Sequence, residues 1–364
     1  MVVHVFTANR YHLVPLISKG FATVYRNDAN HVFLFYGTSN TDFEEYSNTL
    51  QSIGFSDFYF CSSRKSFIRF LRKYRHSSLL FHAGSYSWFI LAFLCGCHSV
   101  NWVCWGSGAQ KNKNKASIMA FPLKKFLYRR LYTIVTLMDD DRESLVRDFS
   151  VPSNRVFTIS YMSLGDSITE YDILSYSLLH DRKNEVFGKP LILLGNNPSC
   201  IRYYMQMLHV LAKFKGQIII HCMLNYSLNK NRSYDELCRL GTLLFSSDFY
   251  CDEVFYSDRS DYIRYMNGCD IYICGNEKQS GLGAIETCLK LGKKVFITGK
   301  NLNWIRKEFN ATVFDAQKID SLSYNVFTEP LSLEQQEFNY QASINRRSKH
   351  TKAWREYLHQ LNVL

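Results

Sequence analysis

Proline, glycine and long apolar runs are scarce in this sequence. It has 6 prolines and 18 glycines among 364 residues, and this composition excludes collagen-like, disordered and low-complexity chains. The longest apolar stretch, residues 86–105, is interrupted by Gly96, His98 and Asn101, so we do not expect it to span a membrane. The first residues lack the basic and apolar regions of a signal peptide, and they predict a buried strand instead.

Cysteine spacing gives no sign of a disulfide framework. The 11 cysteines form an odd set without regular intervals. The nearest pair, Cys95 and Cys97, lies in an apolar run, where thiols pack as small hydrophobic groups. We therefore expect reduced thiols in a cytoplasmic protein, and neither a zinc cluster nor a bound cofactor.

A formal net charge of +11 favours acidic partners. The charge is concentrated between Lys111 and Arg130, where basic and apolar residues share one segment. Its basic residues are Lys111, Lys113, Lys115, Lys124, Lys125, Arg129 and Arg130, and the neighbouring apolar ones are Phe121, Phe126, Leu127 and Leu131. This pattern predicts an amphipathic helix on an anionic membrane surface, and the alternative is a solvated helix packed on its apolar side.

Apolar runs rich in β-branched and aromatic residues alternate with segments of helical period, which predicts two doubly wound α/β domains with parallel sheets. In the first half, the predicted strands are residues 2–6, 31–36, 78–81, 101–105, 133–137 and 155–160. In the second half, they are residues 191–194, 217–221, 254–256, 270–274 and 294–298. The polar residues 166–188 predict a linker between the two halves.

The segment after residue 274 is the strongest candidate for a phosphate site. A predicted strand ends there, and Gly281 and Gly283 precede a helix that ends at Gly292. Free amides at a helix start attract phosphate, and glycines let the backbone approach a diphosphate closely. Lys278, Gln279 and Ser280 add charge and hydrogen-bonding groups to this turn. An ordinary strand-turn-helix connection is the alternative.

Three other turns have a similar construction. The turn after residue 194 contains Gly195, Asn196 and Asn197, whose side chains suit either a helix cap or a phosphate or sugar hydroxyl. In the first half, Tyr86 follows one strand, and Trp105 with Gly106 follows another, which suits stacking of a sugar. Trp105 in the core is the alternative.

The order and spacing of these short motifs resemble those of glycosyltransferase family 56, the Fuc4NAc transferases of enterobacterial common antigen synthesis. The resemblance rests on His4, Val5, His12, Phe81, His82, Gly84, Trp105, Gly106, Ala109, Phe121, Pro122, Leu123, Leu194, Gly195, Asn196, Cys269, Asp270, Gln279, Gly281, Gly283, Asn301 and Trp304. It implies a GT-B fold, in which two Rossmann-like domains face each other across a cleft. It also implies transfer of a deoxy or acetamido sugar from a nucleotide diphosphate donor, dTDP-linked in the family, to an undecaprenyl-diphosphate-linked saccharide in bacterial surface polysaccharide synthesis.

This resemblance assigns roles to the domains. We expect residues 1–170 to bind the acceptor, residues 185–335 to bind the nucleotide sugar, and a helix of residues 336–364 to cross back to the first domain. The acceptor residues would be Tyr86, Trp105 and Gly106, at the inner face of the bacterial inner membrane. Glu286 resembles the ribose-binding glutamate of the wider GT-B superfamily, and a solvated helical glutamate is the alternative. The donor sugar and the stereochemical outcome stay open.

Transfer with inversion needs a base for the acceptor hydroxyl, and a histidine suits that task near neutral pH. His12 is the first candidate, and His82 is the second, with acceptor binding as another role for His82. A core or capping histidine is the alternative for each. Asp139, Asp140 and Asp141 imitate a metal-binding motif, but their place before a helical run predicts capping and no metal dependence.

Two other functions compete with this interpretation. A nucleotide-sugar epimerase shares the GT-B architecture but needs several carboxylates at strand ends, and the sequence has few there. A basic protein rich in aromatic residues also fits nucleic-acid binding, although no module of that class is recognisable. We therefore expect no nucleic-acid partner.

Overall fold

A computed structural model describes the chain except for several short segments. The residues outside the description are 8–13, 26–27, 29, 38–39, 53, 110–114, 162–187, 196–199, 224–231, 253–258, 276–280 and 364. The chain divides into unit 1, formed by Met1–Ser163 with Ser348–Leu364, and unit 2, formed by Leu164–Arg347. The predicted linker and the predicted strand at residues 254–256 fall largely or wholly outside the described residues.

Unit 1 is built on a parallel sheet. Its described strands are β1 (Val2–Thr7), β2 (His31–Tyr36), β3 (Phe58–Cys61), β4 (Ser78–His82), β5 (Val100–Cys104), β6 (Thr133–Thr136) and β7 (Val156–Thr158), in the spatial order β3-β2-β1-β4-β5-β6-β7. The helices between them are α1 (Val14–Tyr25), α2 (Asn40–Ser52), α3 (Arg64–Lys73), α4 (Tyr86–Leu94), α5 (Lys115–Arg130) and α6 (Asp139–Phe149). Short 3₁₀ turns occupy Gly106–Ala109 and Ser153–Arg155.

Unit 2 repeats this construction. Its described strands are β8 (Leu191–Leu194), β9 (Ile219–Met223), β10 (Phe249–Asp252), β11 (Ile271–Cys274), β12 (Lys294–Ile297) and β13 (Phe314–Asp315), in the order β10-β9-β8-β11-β12-β13. The helices are α7 (Ile201–Leu211), α8 (Arg232–Phe245), α9 (Arg259–Asn267), α10 (Leu282–Lys290), α11 (Gly299–Trp304), α12 (Tyr324–Thr328) and α13 (Leu333–Val363). Shorter turns lie at Ala212–Phe214, Ser246–Asp248, Ile305–Phe309 and Ala316–Ser321.

The central strands are apolar at nearly every position because helices cover both faces of each sheet. Val2, Val3, Val5 and Phe6 of β1 are all buried, although their side chains point alternately to opposite faces. In unit 1 these faces belong to two separate apolar clusters. The long apolar runs that predicted buried parallel strands therefore reflect burial on both sides.

The last helix, α13, begins in unit 2, and its residues from Ser348 onward belong to unit 1. In unit 1 it buries Trp354, Tyr357 and Leu358 against the sheet. The Trp354 indole donates to the Ser160 carbonyl over 2.8 Å, and the Tyr357 hydroxyl lies 2.5 Å from that of Thr133. The helix end is thus held by both apolar burial and hydrogen bonds.

In both sheets the strand order reverses at one point, which we call the switch point. In each, the first strand of the unit lies beside the fourth, β1 beside β4 and β8 beside β11, with all pairs parallel. In such sheets a crevice forms outside the carboxyl ends of those two strands, and ligands bind there. The predicted α/β class with two doubly wound parallel sheets is confirmed.

Candidate functional site

The switch point of unit 2 carries a pair of glycines. Gly195 directly follows β8, and Gly275 directly follows β11. The Gly195 amide donates to the Ile273 carbonyl over 2.9 Å, so the two strand ends stay in register up to the turn. Gly195 has a φ of +98°, which a residue with a side chain adopts only under strain.

Two tyrosines on α7 explain why these positions are glycine. A Cβ placed on Gly275 would lie 1.7 Å from the Tyr203 ring, and one on Gly195 would lie 2.9 Å from the Tyr204 ring. The α7 helix begins at Ile201, just beyond the turn after β8, so this helix packs its aromatic rings against both strand ends. Both glycines are buried, so the missing β-carbons make room for these two rings.

The α10 helix begins at the same edge of the sheet, because it follows β11. Its N-cap is Gly281, with a φ of +66° and no side-chain cap, and its first turn has no acidic residue. The first amides of a helix have no partner within the helix, and together with the dipole they attract anions. Gly283 lies in this first turn, half-buried. The predicted donor residues Asn196, Asn197, Lys278, Gln279 and Ser280 lie outside the described residues.

Glu286 lies on α10 in a buried ion-pair cluster. It is 7% exposed, so the alternative of a solvated side chain is wrong. Its Oε2 atom lies 3.3 Å from Nη1 of Arg346, and its Oε1 atom lies 3.9 Å from Nζ of Lys290. The Arg346 guanidinium lies between the rings of Trp304 and Phe309, at 4.8 and 4.5 Å. This geometry fastens α10 to α13, and a contact of Glu286 with the donor stays a prediction.

Of the two histidines predicted for catalysis in unit 1, the structure describes only His82. His12 lies outside the described residues. His82 ends β4 and is 1% exposed, with Nε2 lying 3.0 Å from Nδ1 of His4 and Nδ1 lying 3.0 Å from the Tyr161 hydroxyl. Burial lowers the pKa of His82 to about 3, which makes it a weak base near neutral pH. His82 is therefore poorly suited to the role of base, and the role of His12 stays a prediction.

The predicted acceptor residues follow two adjacent strands. Tyr86 opens α4 after β4, while Trp105 and Gly106 follow β5, and β4 pairs with β5 in parallel. Trp105 is half-buried, and its indole donates to the Tyr161 hydroxyl over 2.7 Å. The Nζ atom of Lys124 lies 5.5 Å from the centre of the half-buried Tyr86 ring. Both aromatic rings are thus fixed by polar partners at the carboxyl edge of the sheet.

The basic segment forms α5, whose outer face is more apolar than the sequence pattern indicates. Met119, Leu123 and Phe126 are 83%, 43% and 55% exposed, whereas Leu127 and Tyr128 are buried. The three exposed residues follow the spacing i, i+4, i+7, so they lie on one face of the helix. The Arg130 guanidinium lies 5.4 Å from the Phe126 ring. Lys111 and Lys113 lie outside the described residues.

The aspartate triplet does not cap a helix in the way predicted. The α6 helix begins at Asp139, three residues earlier than expected, and its N-cap is Met138, which makes no side-chain cap. Asp139, Asp140 and Asp141 therefore occupy the first turn, where their charges oppose the helix dipole. In the described parts of the chain, no cluster of metal-ligating side chains, no disulfide and no helix long and apolar enough to cross a membrane is found.

Solved structures share this architecture over the whole chain. No protein-family model matches the sequence, and no curated protein gives a significant match. HepE of Anabaena, crystallised with UDP and glucose, is similar with a TM-score of 0.70 and 11% identity, covering 99% of this chain and 100% of that one. A glycosyltransferase from Rickettsia africae has a TM-score of 0.69 and 16% identity, covering 98% of each chain.

An epimerase belongs to the same set. UDP-GlcNAc 2-epimerase from Neisseria meningitidis, bound to UDP-GlcNAc, has a TM-score of 0.59 and 13% identity, covering 99% of each chain. At such identities the similarity establishes the fold. With two parallel α/β sheets and full-length matches to these proteins, the chain has the GT-B fold.

Proposed function

We propose that this chain is a glycosyltransferase that binds a nucleoside diphosphate sugar at the switch point of unit 2. One observation supports the proposal most, namely the start of α10 after β11, where the N-cap Gly281 has no side chain and no side-chain cap. A diphosphate needs close backbone approach and amide donors, and this helix start supplies both.

The donor is proposed to carry a pyrimidine nucleotide. HepE was crystallised with UDP and with UDP-glucose, and the family 56 resemblance implies dTDP. The two nucleotides share a pyrimidine base and a diphosphate, and family 56 further suggests a deoxy or acetamido sugar. The proposed donor-binding residues are Gly195, Asn196, Asn197, Lys278, Gln279, Ser280, Gly281 and Gly283.

The acceptor is proposed to be a saccharide carried on a membrane lipid diphosphate. Tyr86, Trp105 and Gly106 follow strands at the carboxyl edge of unit 1, where their rings suit stacking on a sugar. On α5, the exposed stripe of Met119, Leu123 and Phe126 has basic neighbours, and this combination binds anionic bilayers peripherally. We place the protein on the cytoplasmic face of a bacterial inner membrane for this reason.

The proposed reaction uses a histidine base and an amide clamp. His12 follows β1 in the sequence and would accept the proton of the acceptor hydroxyl as its oxygen attacks the donor sugar. The nucleoside diphosphate leaves with the bonding electrons, and the α10 amides stabilise its charge.

Nucleotide binding tests the donor site directly. UDP or dTDP should raise the melting temperature of the protein more than ADP does, because binding to the folded state stabilises it. Gly281→Asp should lower nucleotide affinity more than tenfold by placing a carboxylate beside the diphosphate, which corresponds to about 1.4 kcal/mol or more. Gly281→Ala is the control, since it introduces a β-carbon at the same φ without charge. Equal affinity in Gly281→Asp and Gly281→Ala would refute the site.

An epimerase is the second candidate, because full-length similarity extends to UDP-GlcNAc 2-epimerases. The two activities differ in their need for an acceptor. An epimerase converts UDP-GlcNAc to its C2 epimer alone, whereas a transferase releases free nucleotide only when an acceptor is present. Proton NMR of UDP-GlcNAc incubated with the protein distinguishes them, and epimer formation without acceptor would replace our proposal.

A further inference from the structure

Five buried or half-buried side chains form a continuous hydrogen-bonded chain through unit 1. The Trp105 indole donates to the Tyr161 hydroxyl over 2.7 Å, and that hydroxyl lies 3.0 Å from Nδ1 of His82. Nε2 of His82 lies 3.0 Å from Nδ1 of His4, and Nε2 of His4 lies 3.0 Å from Nδ1 of His31. We call these five residues the histidine chain.

The three histidines of the histidine chain lie on three adjacent inner strands of the sheet. His82 is the last residue of β4, His4 lies inside β1, and His31 is the first residue of β2. At its far end, Nε2 of His31 lies 3.5 Å from Oδ2 of Asp28, whose side chain is partly exposed. One end of the histidine chain is therefore at the carboxyl edge beside Trp105, and the other end, His31, is buried beside the partly exposed Asp28.

The charge of Asp28 favours one direction for these hydrogen bonds. Nε2 of His31 makes no hydrogen bond, but it lies 3.5 Å from a carboxylate oxygen, and the negative charge favours a proton on Nε2, which leaves Nδ1 to accept. His4 must then donate from Nε2 and accept on Nδ1, and His82 must do the same. The Tyr161 hydroxyl consequently donates to His82, which leaves its oxygen lone pairs to accept from Trp105. In this arrangement all donors and acceptors along the histidine chain match, with three neutral imidazoles in the same tautomer.

We infer that His4, His31 and His82 are positioning residues that fix the orientation of the Tyr161 hydroxyl and, through it, the Trp105 indole. Their value for acceptor binding rests on the proposed function of Trp105. If one histidine switches tautomer, its neighbour faces it with a second donor and must switch too, until Tyr161 has to accept from both sides. A change at His31 therefore reaches Trp105 without any direct contact.

The surroundings keep the chain neutral. Burial lowers the pKa of His4 well below its usual value, and burial also lowers that of His31 to about 4. Asp28 opposes this shift at His31, and the Met1 amino group adds to it. The other groups near the chain are rings: Tyr25 stacks on His31 at 4.2 Å, while Phe21 from α1, Phe33 from β2 and Phe6 from β1 pack against His4 or His82. The positive charge of Arg355 from α13 acts to lower the pKa of Tyr25. Among the described residues, no other charged group faces the histidine chain.

Nitrogen NMR of the unmodified protein tests the tautomers. With ¹⁵N-labelled histidine, His4, His31 and His82 should each show a protonated Nε2 and a bare Nδ1, unchanged between about pH 8 and pH 6. Single substitutions at the other histidines assign the signals. A proton on Nδ1 of His4 or His82 would overturn the inference, and this measurement does not depend on whether any chain variant folds.

Fluorine NMR tests the transmission to Trp105. In protein containing 5-fluorotryptophan, with the resonance assigned by Trp105→Phe, His31→Phe should move the Trp105 signal, and His31→Asn, which keeps an acceptor near the Nδ1 position, should restore it. Phe33→Leu is the control, because it loosens packing on His4 without changing a donor or acceptor. A Trp105 signal that moves no further in His31→Phe than in Phe33→Leu would refute the transmission.

Kinetics separate this inference from the proposed function. His31→Phe should raise the acceptor KM about fivefold, the value of one neutral hydrogen bond, while kcat and the donor KM stay near wild type. A shifted Trp105 signal in a protein without transferase activity would retain the histidine chain and remove the proposed function. Transfer activity with an acceptor KM that His31→Phe leaves unchanged would remove the positioning role instead.

Discussion

The switch points of the two units share one strand order but carry different kinds of residues. In unit 2, buried glycines at both strand ends pack against Tyr203 and Tyr204, and α10 carries the buried ion pair of Glu286 with Arg346. In unit 1, the strand beside β1 ends in His82, and the buried polar groups are three neutral imidazoles. The same topology thus carries a buried ion pair between helices in one unit and a hydrogen-bonded chain of imidazoles in the other.

This difference separates what a fold provides from what residues provide. Strand order places two carboxyl ends side by side in both sheets, but the residues there differ, with buried glycines in unit 2 and His82 in unit 1. A charged buried pair responds to removal of one partner, whereas neutral buried histidines respond to pH. We therefore expect the two units to lose stability under different conditions.

Acid should produce the largest effect, and it should act on unit 1. The pKa of His31 is lowered to about 4, that of His82 to about 3, and that of His4 also lies far below the unfolded value of about 6.5. Stability is complete above pH 6.5 and falls as the pH drops toward 4, because only the unfolded state binds these protons. Three histidines give a slope of about 4 kcal/mol per pH unit near pH 5.

Hydrogen exchange of the β1 and β4 amides measures this slope. Substitution of the exposed His76 with Gln is the control and should leave the slope unchanged. His31→Phe should reduce it by about one third, since one of three protons is lost. A slope equal in unit 1 and unit 2 would remove the contrast between them.

Loss of the ion pair should be next in size, and it should act on unit 2. Glu286→Ala leaves Arg346 buried without its carboxylate and should destabilise α10 by about 3 kcal/mol. Hydrogen exchange of the α10 amides reads this value locally. Glu356→Ala is the matched control on α13, because its pair with Lys352 is exposed, and it should cost less than about 0.5 kcal/mol. Equal losses in both variants would contradict the role assigned to Glu286.

Adding a side chain at Gly275 should have a smaller effect on stability. Gly275→Ala forces a β-carbon into the Tyr203 ring and should cost about 2 kcal/mol and weaken nucleotide binding. Adding Tyr203→Leu should recover part of the stability, as a double-mutant cycle by chemical denaturation would show. Additive effects of the two substitutions would mean that the Tyr203 ring is not the reason why position 275 requires glycine.

The smallest effect on stability concerns the outer face of α5. Phe126→Ser should change unfolding by less than about 0.5 kcal/mol but lower affinity for vesicles containing phosphatidylglycerol about tenfold. Phe338→Ser is the control, because Phe338 is similarly exposed but lies on α13 in unit 2. Sedimentation with vesicles compares the two. Equal vesicle affinity in both variants would remove α5 as the membrane surface.

Most of the fold could be predicted from the sequence because the central strands are buried on both faces. The strands at residues 31–36 and 191–194 were predicted with the observed bounds. Three edge strands were not predicted at their observed positions, namely β3, β10 and β13. An edge strand such as Phe58–Cys61 is partly exposed and too short to give a long apolar run, and Phe314–Asp315 has only two residues.

The candidate site was predictable in location but less so in contacts. Glycines after strands marked the edge of unit 2, but nothing in a linear pattern showed that Tyr203 and Tyr204 require them. The histidine chain left a weak signal, since His4, His31 and His82 lie in predicted strands or just after one. The parallel order of β2, β1 and β4 brings them together, and that order is not contained in any single segment.

The distribution of thiols has a practical consequence for experiments on this protein. Nine of the eleven cysteines are buried, whereas Cys238 and Cys251 are partly exposed, and both of these belong to unit 2. Burial raises the pKa of the Cys104 and Cys222 thiols well above the usual value, so these groups stay unreactive at neutral pH. A maleimide dye should therefore attach to unit 2 alone, which would give a fluorescent reporter of the proposed nucleotide binding without removing any native cysteine.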